Sequence, residues 1–194
     1  MSSREIILNA IKETKQNLKP LPDISISHMQ YDDLNAKYAT SLASVGGNAV
    51  IMDSLADVEA YIKEHYADAK VIVSNVDGLH VSTKDANATD DPHTLQDVDL
   101  AIIKGEFAVA ENGAVWVKEA NCRHRALYFI TQKLIMIVPK GEVVATMHEA
   151  YEKVGFTSQD TFGLFISGPS KTADIEQSLV IGAHGATEAC VVFV

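Results

Sequence analysis

From Asn48 onward, short apolar runs alternate with segments whose apolar residues recur at helical spacing. Residues 49–52, 71–73, 100–103, 134–138, 163–166 and 190–194 read as strands. Most of them are apolar throughout rather than alternating, which is the pattern of strands buried on both faces. Ser54 opens an amphipathic helix to about His65, its hydroxyl placed as an N-cap. Residues 143–154 read as a further helix, ended by Gly155, and 85–93 as loop. Residues 107–110 and 114–117 are apolar runs separated by a turn containing Asn112-Gly113. Asn-Gly in that setting is the strongest short-range hairpin signal.

Upstream, residues 3–18 have helical spacing, with Ile7, Ile11 and Leu18 on one face and Arg4, Lys12, Glu13 and Lys15 toward water. Pro20 and Pro22 end that helix, and a second one, 33–43, is stopped by Gly46-Gly47. The pattern therefore predicts one domain in two parts: an N-terminal helical segment, 1–45, and an α/β domain, 46–194. The first part is expected to pack against the main body or a neighbouring subunit, so a homo-oligomer is compatible with it. The expected fold class is a three-layer α/β/α arrangement on a mainly parallel sheet, with one hairpin near Asn112.

A chain of 194 residues favours a single domain and can bury about 70% of its unfolded surface, so its core needs no staples. The net charge of −10 argues against a general nucleic-acid or anionic-membrane surface. Two cysteines, Cys122 and Cys190, are too few for a disulfide scaffold or for an iron–sulfur cluster held by this chain alone. Reduced structural thiols and a cytoplasmic location are expected. No apolar run approaches the ~18 residues of a membrane span. No Cys-x-x-Cys, His-Glu-x-x-His or Gly-x-Gly-x-x-Gly occurs, and no metal or cofactor is expected. Gly163 and Gly168 have the glycine spacing of a P-loop, but Pro169 stands where that motif needs lysine.

Four segments could carry chemistry. Ser167-Gly-Pro-Ser-Lys-Thr-Ala-Asp-Ile-Glu176 follows a strand and precedes a short helical pattern. A turn entering a helix offers free N–H groups to an anion, to which Ser170, Lys171 and Thr172 would add donors and charge, against the repulsion of Asp174 and Glu176. The alternative is a plain helix-capping turn. Glu111 interrupts an apolar run beside the hairpin turn, either as a partly desolvated carboxylate available for catalysis or as a surface residue. His184, between Ala183 and Gly185, either meets a ligand or bonds to backbone. Arg123-His124-Arg125 either clamps an anion or begins a helix at the surface.

Together, Ser167–Glu176, then Gly182-Ala-His-Gly185 and a terminal apolar strand, resemble the C-terminal signature of the LUD domain of the lactate-utilisation protein C family. Ala108-Val-Ala-Glu-Asn-Gly-Ala114 resembles the Ala-Glu-Thr-Gly-Thr hairpin segment of that family. Asn112 and Ala114 stand where the family has threonines, and Ala186 where a proline often follows His-Gly. The resemblance covers residues 48–194 and implies the fold shared by glucosamine-phosphate deaminases, ribose-phosphate isomerases and CoA transferases. It implies an accessory role in oxidising L-lactate to pyruvate beside iron–sulfur partner proteins. Glu111-Asn112-Gly113 also resembles the Glu-Asn-Gly of CoA transferases, in which the glutamate is the nucleophile. The alternatives are a stand-alone enzyme acting through Glu111 on an acyl-CoA or phosphorylated metabolite, and a regulatory module binding a small anion or organic acid. On either view Gly168, Ser170, Thr172 and His184 are expected to line one cleft with Glu111, with Asn112, Gly113, Lys171, Asp174, Glu176 and Gly185 contributing to binding.

Overall fold

Continuous apolar strands need cover on both faces, and the computed structural model shows what supplies it. It describes residues 2–14, 20, 30–119, 122–155, 162–173 and 179–194. Five parallel strands form the main sheet: β1 (Asn48–Ile51), β2 (Ile72–Ser74), β3 (Leu100–Lys104), β6 (Lys133–Val138) and β11 (Glu188–Phe193), in the order β1-β11-β6-β3-β2. Side chains alternate across it. Leu100, Ile102, Ile135, Ile137, Cys190 and Val192 face helix α3 (Leu55–His65), which buries Val58 and Ile62 against them. Ser54 caps that helix by accepting the Asp57 N–H. Ala101, Ile103, Leu134, Met136, Val138, Val191 and Phe193 face the other way.

On that second face lies a four-stranded mixed sheet, ordered β7-β4-β5-β8, built from β4 (Phe107–Val109), β5 (Ala114–Lys118), β7 (Val143–Val144) and β8 (Gly163–Ile166). Ala108, Val115 and Val117 pack inward from it. Its outer face carries Phe107, Val109, Ala114 and Trp116, covered by α5 (Met147–Lys153) through Ala150. The α/β class and the mainly parallel sheet are as expected. The apolar pattern did not disclose that a second sheet fills one of the covering layers.

Helices α2 (Leu34–Ser44) and α4 (Leu127–Ile130) share the inner face with the mixed sheet. Asp33 caps α2, accepting from the Asn35 and Ala36 N–H groups. Tyr38 and Leu42 on α2 have no exposed surface, and the Tyr38 ring meets Phe193 edge-on at 5.3 Å. By contrast α1 (Ser3–Glu13), capped by a Ser2–Glu5 capping box, buries no residue.

Two elements differ from the sequence expectation. Val143 and Val144 are not the start of a helix; they pair in parallel with β4, and α5 begins after Thr146, which caps it. Directly after Pro169 the described chain is extended, not helical. Lys171–Ala173 is strand β9, paired antiparallel with β10 (Leu179–Ile181). The β-branched Thr172, Val180 and Ile181 suit that hairpin. No helix among the described residues is long and apolar enough to cross a membrane.

Candidate functional site

A cavity of about 240 Å³ lies where the end of β8 meets the start of β6 and the loop before β11. Its walls are Tyr128 and Phe129 of α4, Leu134, residues 164–166 of β8, the turn 167–170, and residues 184–186. The two segments that carry the motifs are stitched together there by main-chain bonds. Ser170 N–H donates to Ala186 O at 2.8 Å, and Gly182 N–H to Ser170 O at 2.9 Å. Gly185 is held close: a methyl built on it would stand 3.0 Å from the Ser170 Cβ and 3.1 Å from Phe129 O.

Gly168, Ser170, His184 and Gly185 thus share one cavity. Ser170 is half-buried and His184 exposed, and neither side chain makes a hydrogen bond among the described residues. A hydroxyl and an imidazole over an aromatic and aliphatic wall suit a small organic anion, which would accept from both. Tyr128 has a different task. Its hydroxyl donates to Lys118 O at 2.9 Å, and burial, then the nearby Cys122, hold its ionisation well above the usual tyrosine range. It is a neutral wall group.

The remaining predicted residues are elsewhere. Glu111 does not line the cavity. Its carboxylate is exposed, not desolvated, and its Oε2 accepts the Met147 N–H at 2.8 Å, at the start of α5. Asn112 is connected to the cavity turn through its carbonyl, which accepts from Ser167 Oγ at 2.7 Å, while its side chain closes the hairpin on Ala114 N–H. Gly113 is buried against Leu42 of α2. Lys171 is exposed on β9, and Thr172 Oγ1 reaches Val180 O only at 3.5 Å. Asp174 and Glu176 lie outside the described residues.

The turn 167–170 is not itself a helix N-terminus, because strand Lys171–Ala173 follows it. The cavity also sits at the amino ends of β6 and β11, although the turn itself leaves the carboxyl end of β8. The basic cluster is consumed by internal pairs: Arg123 with Asp90, His124 Nε2 with Thr89 O at 2.7 Å, and Arg125 bidentate on Glu119 at 2.7 and 3.0 Å. Among the described residues no group of three or more His, Cys, Asp or Glu side chains is arranged to hold a metal.

Sequence reasoning missed the aromatic wall. Tyr128 and Phe129 are adjacent on a four-residue helix, so their side chains point about 100° apart and cannot both face one core. Tyr128 is buried and Phe129 is 47% exposed. Two consecutive aromatics on so short a helix were the available signal.

A parallel sheet backed by a mixed one, with a small polar-and-aromatic cavity between two turns, defines an α/β domain with a candidate ligand cavity. Residues 75–194 match the LUD domain model, and the chain belongs to the LUD domain family. It is 36% identical over 100 residues to lactate utilization protein C of Shouchella clausii (strain KSM-K16), covering 50% of this chain and 44% of that protein. It is 36% identical over 106 residues to the protein of the same name in Geobacillus kaustophilus (strain HTA426), covering 51% and 43%. A longer match, 25% identical over 158 residues and covering 73% and 68%, is to lactate utilization protein C of Macrococcus caseolyticus (strain JCSC5402). The chain thus covers less than half the length of the first two relatives. In fold it is similar to the crystal structure of a DUF162 family protein from Deinococcus radiodurans, with a TM-score of 0.62 at 16% identity, covering 83% of this chain and 96% of that one.

Proposed function

We propose that this LUD-domain chain serves lactate utilisation as an accessory component that binds a small carboxylate in the Ser170–His184 cavity and works beside iron–sulfur proteins. The observation that carries the reading is the convergence of two sequence-distant turns, 167–170 and 184–186, on one cavity with a hydroxyl and an imidazole at its wall. The names of the relatives supply the process. The iron–sulfur partners rest on the family resemblance alone. The acyl-CoA reading draws no support from the geometry, because the Glu111 carboxylate lies outside the cavity and bonds to Met147 N–H.

The test is genetic. Deleting the gene in its host should abolish growth on L-lactate but not on pyruvate, and the wild-type gene should restore it. The double variant S170A/H184N should fold normally and fail to restore growth. A deletion strain that grows on L-lactate as well as its parent would overturn the reading. Affinity capture of the tagged chain from lactate-grown cells should bring down iron-containing partners; their absence would remove the iron–sulfur part alone.

A further inference from the structure

The main sheet has two edges, and they are finished differently. At β2 the outward groups are taken up by residues 82–84. Thr83 N–H and Lys84 N–H donate to Ile72 O at 2.8 and 3.2 Å, Thr83 Oγ1 accepts the Ile72 N–H at 2.8 Å, and Ser82 Oγ accepts the Ser74 N–H at 2.9 Å. The other edge is β1, paired on one side only, with β11. Its register decides which groups point outward. Met52 N–H donates to Phe193 O at 2.9 Å, and in a parallel ladder alternate residues turn to the same neighbour. Asn48, Val50 and Met52 therefore bond to β11, and the N–H and C=O of Ala49 and Ile51 face away from it. Among the described residues nothing pairs with those outward groups.

Exposed edges are usually guarded by charge or proline. Asn48-Ala-Val-Ile51 has neither, and Ile51 is 61% exposed. Asp53, the first charge after the strand, is already paired with Lys140 Nζ at 2.8 Å. In a chain of net charge −10, that neutral strip is where a second copy can approach without like charges meeting. The strip is also self-complementary. A two-fold axis sets β1 antiparallel to its own copy. With Val50 on the axis, Ala49 of each copy lies opposite Ile51 of the other, and each such pair exchanges both of its main-chain bonds. The same register sets the small Ala49 beside the exposed Ile51, which gains cover from it.

We propose that β1 is the contact edge of a homodimer, in which two copies join their parallel sheets through Ala49 and Ile51. A strand of 4 residues buries far less than the ~1,600 Å² of a standard interface, so the association is reversible, with a Kd of about 10 μM. Sedimentation velocity on the full chain, from about 1 to about 200 μM, should show monomer converting to dimer. I51K, at an exposed position where the fold will persist, sets an ammonium group from each copy diagonally across the junction. It should weaken dimerisation at least ~10-fold while the circular dichroism of the monomer is unchanged. V50C tests the register. Residues facing each other in that way stand about 4.5 Å apart at Cα, within disulfide range, and the chain's own Cys122 and Cys190 are buried. Mild oxidation should therefore give a cross-linked V50C dimer on non-reducing gels, and none from the wild type. A wild type still monomeric at about 200 μM, a dimer undiminished in I51K, or a dimerising V50C that gives no cross-link would each overturn the proposal.

Discussion

At Gly113 two constraints meet: the backbone has φ +70°, and a methyl group on its Cα would stand 2.7 Å from the main chain of Leu42. The first is the left-handed conformation that an Asn-Gly hairpin turn asks for. The second fastens the hairpin onto α2, whose backbone cannot step aside as a side-chain end might. Gly141 has φ +82° but nothing within 4 Å of its Cβ position, so it separates the two effects. Gly141→Ala should cost only the conformational strain, about 1 kcal/mol, whereas Gly113→Ala should cost roughly 3 kcal/mol or more, read as urea midpoints. Equal midpoints for the two variants would show that α2 does not clamp the turn. Beside it, Glu111 holds the Met147 N–H. Glu111→Ala should therefore lose about 0.5–1.5 kcal/mol, while Glu111→Gln, which still accepts that bond, should be near wild type in stability and in support of growth on lactate. Loss of growth with Glu111→Gln at normal protein levels would return the carboxylate to the chemistry.

The two N-terminal helices show why helical spacing and burial are separate questions. Both have caps and apolar stripes, yet α1 leaves Ile7 59% and Ile11 56% exposed while α2 hides Leu42 completely. Leu42→Ala should thus cost about 2–5 kcal/mol, and Ile11→Ala less than about 0.5 kcal/mol, in the same denaturation assay. A large loss from Ile11→Ala would mean that α1 packs on something in solution. The same distinction governs what could be read from the sequence. Runs such as 134–138 announce burial on both faces, and so do 107–109 and 114–117, but an apolar run does not name the sheet it joins. That depends on pairing with distant residues, as Val115 does with Ile166. Val143-Val144 looked helical because a helix follows, although Thr146 and Glu149 already marked its true start. For the site, the glycine and hydroxyl turns were legible because such residues are punctuation in any chain. Their convergence with Tyr128 and Phe129 was not, since it is made by packing across three elements.

For the whole molecule, the groups whose ionisation folding alters most lie on the alkaline side. Asp53, Asp68 and Asp97 are held below the usual aspartate range by hydrogen bonds to Lys140, Lys133 and Lys84, but all three are at the surface, where solvent screens such pairs. Their contribution is present at neutral pH and fades only as pH falls through those lowered values, so it leaves a shallow acid limb. Cys190 is different: it is 1% exposed, and burial pushes its thiol up to about 11 from 9.0. Burial, then the Cys190 charge, likewise raises Tyr61 to about 12 from 10.0. For a group whose folded pKa is raised, the stability is complete below the unfolded value and is lost as pH climbs through the folded one. Stability should therefore hold from neutrality to about pH 9, then fall, with Cys190 alone accounting for about 2 kcal/mol by pH 11. The measurement is chemical denaturation at intervals from pH 7 to 11 on the wild type and on Cys190→Ala. The variant will begin less stable, because a buried side chain is trimmed, but its curve should fall less steeply between pH 9 and 11. Parallel curves would show that the thiol stays protonated for no energetic consequence, and that the alkaline limb belongs to the tyrosines.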